Sequence, residues 1–188
     1  MRDRGSAGRV HRSRPRSSAQ VQSLTSIRLR QYSLGRESAG GPGAVIVPER
    51  LKALIVDDNA YARVVAAATL RKLGIGTIDD VGSAPLAIDA ILGTRYDVVL
   101  MDWYMPEMNG AAMLQVMRGR HFGANGLVPV IMVTAYPNRE TYARARELGA
   151  AEILTKPFTA QHVGMALGRL LPSGWGIDGD AADGQVLL

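Results

Sequence analysis

Five polar side chains that could do chemistry follow short apolar runs of the sequence. They are Asp57, Asp58, Asp102, Thr134 and Lys156. Such apolar runs are typical of strands buried in a parallel sheet. In an open α/β sheet, ligands bind outside the carboxyl ends of the strands. We therefore predict that three carboxylates, one hydroxyl and one ammonium group meet at one edge of a sheet.

This set of groups suits the transfer of a phosphoryl group with the help of a metal ion. Crowded carboxylates raise one another's pKa unless a cation enters, and oxygen ligands favour Mg²⁺. Thr134 could donate a hydrogen bond to a phosphoryl oxygen, and Lys156 could place a positive charge beside another. One carboxylate could then attack phosphorus and form an acyl phosphate. Asp102 is the predicted nucleophile because it stands alone after its run, whereas Asp57 and Asp58 form a metal-binding pair.

The elements that must position these groups alternate along the chain. Apolar runs predict five strands, near residues 53–56, 77–81, 97–101, 129–133 and 151–154. Apolar residues at helical spacing predict five helices, over residues 59–73, 83–93, 110–120, 138–148 and 159–171. The alternation implies βαβ units, and therefore an α/β fold with a mostly parallel, doubly wound sheet and helices on both faces. Alternation alone leaves the strand order open.

The two ends of the chain differ in composition from its middle. Nine of the 22 basic residues lie in residues 1–43, all of them arginines, against Asp3 and Glu37. We predict that residues 1–43 are a disordered Arg/Ser/Gly-rich tail and linker, residues 52–171 a folded domain, and residues 172–188 a flexible tail. The formal net charge of +5 belongs to the first tail, so it does not mark the domain as a nucleic-acid binder.

Composition also excludes several kinds of protein. The chain has no cysteine, which excludes disulfides, thiolate metal sites and a cysteine nucleophile. No uncharged apolar run approaches the ~18 residues of a membrane span, and the N-terminus lacks a secretory signal. We therefore expect a cytoplasmic protein that has neither a membrane nor a nucleic acid as its partner.

Four sequence blocks resemble the receiver domain of bacterial two-component response regulators. They are Leu54 to Asn59, Asp102 to Gly110, Val133 to Ala135, and Leu154 to Phe158. The second block, Asp-x-x-Met-Pro-x-Met-x-Gly, is very specific, and it is similar to that of chemotaxis regulators. The resemblance covers residues 52–171 and neither tail. It implies a flavodoxin-like five-stranded parallel sheet in the order 2-1-3-4-5.

The resemblance also implies roles for individual residues. Asp102 matches the phosphoacceptor, and Asp57 and Asp58 match the acidic pair that binds Mg²⁺ together with Asp102 and the backbone carbonyl of Tyr104. Thr134 matches the switch hydroxyl and Lys156 the active-site lysine, with a cis peptide bond before Pro157. Such a domain catalyses only its own phosphorylation and dephosphorylation, so it is not an enzyme with a separate substrate.

The chain departs from the family by lacking an aromatic residue at one position and by carrying bulky rings at two others. Three residues before the lysine, where the family commonly has Tyr or Phe, stands Ile153. Tyr104 and Tyr136 occupy positions that flank the path of the hydrolytic water in the family, and both are bulky here. We therefore predict a long-lived phosphoryl group.

The resemblance implies a sensor histidine kinase or a phosphotransfer protein as phosphodonor, and a downstream protein as the target of switched contacts. Only 17 residues follow Leu171, too few for a DNA-binding domain, so we expect a single-domain regulator that acts through protein contacts, with a phosphorylation-dependent dimer as one form of output.

Other functions compete with this one. A dinucleotide-binding loop is excluded because Gly74-x-Gly76 lacks a third glycine and follows a helix. An aspartyl-nucleophile, Mg²⁺-dependent phosphatase of the haloacid dehalogenase kind is an alternative, although it expects Asp-x-Asp where this chain has Asp57-Asp58-Asn59. A second alternative is a regulator whose arginine-rich arm binds nucleic acid or a membrane through phosphate groups. A solvated tail is the preferred interpretation of that arm.

Overall fold

The computed structural model describes residues 47–170, where strands and helices alternate. The strands are β1 (Lys52–Val56), β2 (Thr77–Val81), β3 (Val98–Asp102), β4 (Val130–Thr134) and β5 (Glu152–Thr155). The helices are α1 (Ala60–Lys72), α2 (Ala84–Gly93), α3 (Gly110–Met117), α4 (Arg139–Glu147) and α5 (Ala160–Leu170). The predicted tails, residues 1–43 and 172–188, lie outside the described residues.

The five strands form one parallel sheet in the order β2-β1-β3-β4-β5. This confirms the α/β class and the order 2-1-3-4-5. The chain moves outward from β1 to β2 and then returns to the other side of β1 for β3. The strand order therefore reverses between β1 and β3, and a crevice at the carboxyl ends of these two strands is the usual place for a ligand in such sheets.

Alternate residues of each inner strand feed two separate cores, one on each face of the sheet. Ala53 and Ile55 pack with α1 and α5, whereas Leu54 and Val56 pack with α2, α3 and α4. All five residues of β3 and all five of β4 are buried, as expected for central strands covered by helices on both sides. The elements that carry the polar groups are therefore held from both faces.

Three of the helices begin at an asparagine whose side chain caps the first turn. Asn59, Asn109 and Asn138 each accept hydrogen bonds from backbone N–H groups in the first turn of α1, α3 and α4. Ser83 occupies the N-cap position of α2, but its side chain makes no capping hydrogen bond.

The predicted helix over residues 110–120 is too long. It ends at Met117, and after Gly119 the chain enters a short 3₁₀ turn, Arg120–Phe122. None of the helices within residues 47–170 is long and apolar enough to cross a bilayer.

Candidate functional site

The sheet brings the predicted polar residues to one edge. Asp57 follows β1 directly, and its N–H donates to the carbonyl of Val81 at 3.2 Å. The sequence predicts that Asp102 and Thr134 follow β3 and β4. They are instead the last residues of these strands. Lys156 comes directly after β5, where its N–H donates to the carbonyl of Thr134 at 2.8 Å. Because parallel strands end at the same edge, the side chains of Asp57, Asp102 and Lys156 meet there, and Thr134 contacts Lys156 through its backbone carbonyl.

The ammonium group of Lys156 lies between two buried carboxylates. Its Nζ is 2.6 Å from Asp57 Oδ2 and 2.6 Å from Asp102 Oδ1. The second oxygens of these carboxylates are also held, since Asp57 Oδ1 accepts from the Asn59 N–H at 3.0 Å and Asp102 Oδ2 accepts from the Tyr104 N–H at 2.9 Å. Each carboxylate is therefore fixed by one charged and one backbone contact.

Asp57, Asp58 and Asp102 form a cluster that could hold a metal ion. Each offers a carboxylate oxygen, and these oxygens lie within 4.8 Å of one another. Asp57 and Asp102 are buried, whereas Asp58 is exposed. A cluster with only oxygen donors, open to water on one side, suits Mg²⁺, which keeps several waters in its shell. The donor set therefore fits the predicted ion.

The charges of the site shift the pKa values of two groups. Burial raises the pKa of Asp102 and the Asp57 carboxylate raises it further, while Lys156 and the Tyr104 N–H lower it, and the net direction is upward. Burial lowers the pKa of Lys156, but its contacts with Asp102 and Asp57 outweigh burial and raise it overall. At neutral pH, Lys156 is therefore a permanent cation, and Asp102 resists ionisation more than an exposed carboxyl does.

Thr134 presents a hydroxyl group from within the sheet. The residue is 0% exposed, and its Oγ1 accepts a hydrogen bond from the Tyr136 N–H at 3.1 Å. A hydroxyl group that accepts one hydrogen bond can still donate its own proton. The Thr134 hydroxyl proton is therefore available for a further hydrogen bond.

Two tyrosine rings meet beside the site. The rings of Tyr104 and Tyr136 pack edge to face with centroids 5.7 Å apart, and the residues are 47% and 70% exposed. Tyr104 contacts the site through its backbone N–H, and the role of its carbonyl as a metal ligand stays a prediction. The slow loss of phosphate predicted from these rings also stays a prediction.

The position that lacks the family's aromatic ring is filled differently. Ile153 is half-buried and packs against the core formed with α2, α3 and α4. On the same strand, Thr155 Oγ1 is 3.3 Å from the hydroxyl of Tyr142 on α4. The peptide bond between Lys156 and Pro157 is cis, as the resemblance implies.

Sequence reasoning missed one residue that contacts the acidic pair. Arg63 Nη1 donates to the backbone carbonyls of Asp57 and Asp58, and Arg63 Nε donates to Asp80 Oδ2 at 2.8 Å. The available signals were a cation close after the acidic pair and an aspartate near the end of the next strand. Neither is specific without the fold.

An apolar cavity of about 310 Å³ opens beside the charged groups. Tyr61 and Val65 of α1 line one side and Phe158 lines another, with Asp57, Asp102 and Lys156 at the polar end. The cavity thus combines an apolar wall with direct access to the Asp102 carboxylate.

Comparison with known proteins gives a consistent result. Residues 53–167 match the family model described as the response regulator receiver domain. A probable chemotaxis protein CheY of Rhizobium etli is 31% identical over 121 residues, which cover 64% of this chain and 92% of that protein. Chemotaxis protein CheY-3 of Vibrio cholerae is 32% identical over 115 residues, or 61% of this chain and 87% of that protein.

Solved structures show the same likeness. The chemotaxis protein CheY4 of Vibrio cholerae has a TM-score of 0.59 at 26% identity, covering 64% of this chain and 98% of its own. The receiver domain of a sensor histidine kinase from Pseudomonas aeruginosa has a TM-score of 0.57 at 28% identity, covering 64% of this chain and 96% of its own. In that structure a magnesium ion is coordinated in the active-site cleft.

Proposed function

The chain belongs to the response regulator receiver domain family, and from this membership we propose that it accepts a phosphoryl group on Asp102 in a Mg²⁺-dependent phosphorelay. Receiver domains are signal-transduction phosphoacceptors and generally not enzymes with a separate substrate. The observation that carries the proposal is the arrangement of Asp57, Lys156 and Asp102 at the carboxyl ends of three parallel strands, with Nζ 2.6 Å from each carboxylate. The phosphatase and arginine-arm alternatives are not favoured, because the family match covers the domain itself.

In the proposed reaction, a carboxylate oxygen of Asp102 attacks the phosphorus atom of a phosphohistidine. A P–O bond forms, and the P–N bond breaks with its electron pair returning to the imidazole nitrogen. The strand end and the N–H of Tyr104 hold Asp102 in place, which reduces the entropy cost of reaching the transition state. The product is an acyl phosphate on Asp102.

Asp57, Asp58 and Asp102 are proposed to hold Mg²⁺, with the Tyr104 carbonyl as a further ligand. A bound Mg²⁺ neutralises charge on the phosphoryl oxygens during transfer. The finding that supports this ligand set is the cluster of three carboxylate oxygens, all within 4.8 Å of one another. Receiver domains as a family bind Mg²⁺ in such an acidic site, and one of the similar structures contains the ion.

Lys156 and Thr134 are proposed to bind the phosphoryl oxygens once the acyl phosphate has formed. Lys156 already carries its proton, and its contact with Asp102 can be exchanged for a contact with the new phosphoryl group. Thr134 can donate its hydroxyl proton to another phosphoryl oxygen. The Lys156 N–H donates to the Thr134 carbonyl and so connects the ends of β4 and β5. Movement of these two side chains would therefore shift the ends of both strands.

The proposed partners are a sensor histidine kinase or phosphotransfer protein that donates the phosphoryl group, and a downstream protein that binds one state of the domain. The apolar cavity beside Asp102 offers a surface against which a donor protein can pack. We propose that residues 52–171 form the receiver unit, with residues 1–43 and 172–188 as tails. A phosphorylation-dependent dimer is proposed as one form of output.

The test is labelling of the full chain with ³²P-acetyl phosphate or with a phosphorylated histidine kinase, with and without Mg²⁺. We expect a label that requires Mg²⁺ and is removed by hydroxylamine, as an acyl phosphate is. Asp102→Asn should abolish the label because the amide is not a nucleophile. Asp89→Asn, which changes an exposed aspartate on α2, is the matched control and should label normally.

A label that persists in Asp102→Asn and maps to a serine or histidine would refute the assignment of Asp102. A label that forms equally well in EDTA would refute the role of the ion.

A further inference from the structure

Arg63 lies in an unusual place for an arginine of a surface helix. It is the fourth residue of α1, near the positive end of the helix dipole, where a cation is disfavoured. Its side chain is only 20% exposed. The guanidinium extends back over the start of the helix to the turn that joins β1 to α1.

The guanidinium group reaches the backbone of both members of the acidic pair. Nη1 is 2.8 Å from the carbonyl oxygen of Asp57 and 3.3 Å from that of Asp58. These bonds leave the two carboxylates untouched. The arginine bonds to the carbonyl oxygens of the pair and not to their carboxylates, of which that of Asp57 is held by Lys156 and by the Asn59 N–H.

The end of β2 holds the arginine in this position. Arg63 Nε donates to Asp80 Oδ2 at 2.8 Å. Gly82 leaves room for the group, since a Cβ atom at that residue would lie 3.2 Å from Arg63 Nη1. The Asp57 N–H also bonds to β2, at the carbonyl of Val81. The arginine therefore connects α1, β2 and the acidic turn.

The usual reasons for a surface arginine do not account for these contacts. The first turn of α1 has its cap, because Asn59 Oδ1 accepts from the N–H groups of Tyr61 and Ala62. An ion pair with the half-exposed Asp80 contributes little by itself in water. What remains is the pair of bonds to the carbonyls of Asp57 and Asp58.

We propose that Arg63 is a positioning residue for the divalent-cation site, which fixes the backbone turn from which Asp57 and Asp58 project. This inference rests on the proposed function, because it assumes that the acidic cluster binds Mg²⁺. Residues that orient metal ligands without touching the metal typically change affinity by about 10- to 100-fold when they are removed. The same range is expected here.

The sign of the effect separates positioning from simple charge. Arg63 is a cation near a site for a dication, so if only its charge mattered, its removal would strengthen Mg²⁺ binding. If it positions the ligands, its removal weakens binding in spite of the charge. Lysine at this position keeps the charge but has all its donors on one nitrogen, so it does not reproduce the separate contacts of Nε with Asp80 and of Nη1 with the two carbonyls.

The experiment measures the dissociation constant of Mg²⁺ by titrating the full chain with MgCl₂ and following Trp103 fluorescence in a Trp175→Phe background. Arg63→Gln and Arg63→Lys should each raise the dissociation constant about tenfold or more. Arg71→Gln and Arg71→Lys are matched controls, because Arg71 is an exposed arginine two turns further along α1. They should leave the constant unchanged.

A second kind of variant changes no charge. Gly82→Ala places a methyl group 3.2 Å from Arg63 Nη1, a contact that a shift of a few tenths of an ångström relieves, so any weakening of Mg²⁺ binding should be smaller than in Arg63→Lys. Urea unfolding without Mg²⁺ shows which variants are folded, and Arg63→Lys decides the matter if Arg63→Gln is not folded.

The inference is overturned if Arg63→Gln binds Mg²⁺ as tightly as the wild type or more tightly, or if Arg63→Lys leaves the dissociation constant unchanged. A wild-type chain that does not bind Mg²⁺ would instead refute the proposed function. The two failures are therefore distinguishable.

Discussion

The ionisation of Asp102 depends on opposing effects of its surroundings. Burial and the neighbouring Asp57 carboxylate disfavour its charge, whereas Lys156 and the Tyr104 N–H favour it. Because the first pair dominates, the pKa of Asp102 lies above its ordinary value. A cation bound beside Asp102 would favour its ionised form, so Mg²⁺ binding and the ionisation of Asp102 favour each other.

Asp102→Asn should therefore stabilise the protein in Mg²⁺-free buffer at neutral pH. The carboxyl's folded-state pKa is raised, so its contribution to stability is complete below the unfolded pKa of 3.8 and is lost as the pH rises through the folded pKa. Asparagine resembles the protonated form and does not undergo this loss. Urea unfolding of both proteins between pH 3 and pH 7.5 should show a gap in the free energy of unfolding that widens with pH. A gap that stays constant or narrows would contradict the raised pKa.

At the scale of single elements, the approach of α3 to β3 shapes the loop after Asp102. Gly110 is the first residue of α3, and its N–H donates to the carbonyl of Trp103 at 3.0 Å. A Cβ atom on Gly110 would overlap the backbone carbonyl oxygen of Asp102 and would lie 2.7 Å from Met132 Cε. The glycine that closes the Asp-x-x-Met-Pro-x-Met-x-Gly block is therefore required by space.

Gly110→Ala should lower the free energy of unfolding by about 1–3 kcal/mol or more, because either α3 or the end of β3 must move. Gly93→Ala is the control, since it is a glycine of α2 whose Cβ would meet nothing within 4 Å. It should be neutral or stabilise by up to ~1 kcal/mol, because alanine restricts the unfolded chain. Equal stability of Gly110→Ala and the wild type in urea unfolding would show that the loop adapts freely.

At the scale of the whole molecule, the acidic site exists only when the sheet is complete. The residues joined by the Asp57–Lys156 contact are 99 positions apart in sequence. An unfolded chain brings no such cluster together, so an ion that binds the cluster binds the folded state alone. Stability and Mg²⁺ concentration are then linked by mass action.

Mg²⁺ at about 100 times its dissociation constant should raise the free energy of unfolding by ~2.7 kcal/mol. Asp58→Asn should reduce this gain because it removes one carboxylate from the cluster. Asp89→Asn should keep the full gain, since Asp89 is an exposed residue of α2 that does not belong to the cluster. Thermal or urea unfolding across a MgCl₂ series measures both. A wild-type midpoint that does not move with Mg²⁺ would contradict the site.

The sequence by itself determined which segments are strands and which are helices, and their succession along the chain. Apolar runs mark each strand because strands covered on both faces have no polar side, as β3 and β4 show by being wholly buried. Local periodicity was least informative at boundaries. Periodicity predicted that α3 continues beyond Met117, where the helix ends. Contacts distant in sequence form at this point, such as the bond from Arg118 Nη2 to the carbonyl of Gly149 at 3.0 Å, and local periodicity carries no information about them.

The candidate site divides in the same way. Asp57, Asp58, Asp102, Thr134 and Lys156 could be named from the sequence because each ends a recognisable run, and parallel strands end at one edge. The part played by Arg63 could not be named, because it depends on Asp80 at the end of an edge strand and on the room left at Gly82. The 2.6 Å contacts of Lys156 and the net direction of the Asp102 pKa also required the structure, since both follow from distances and burial that only the closed sheet creates.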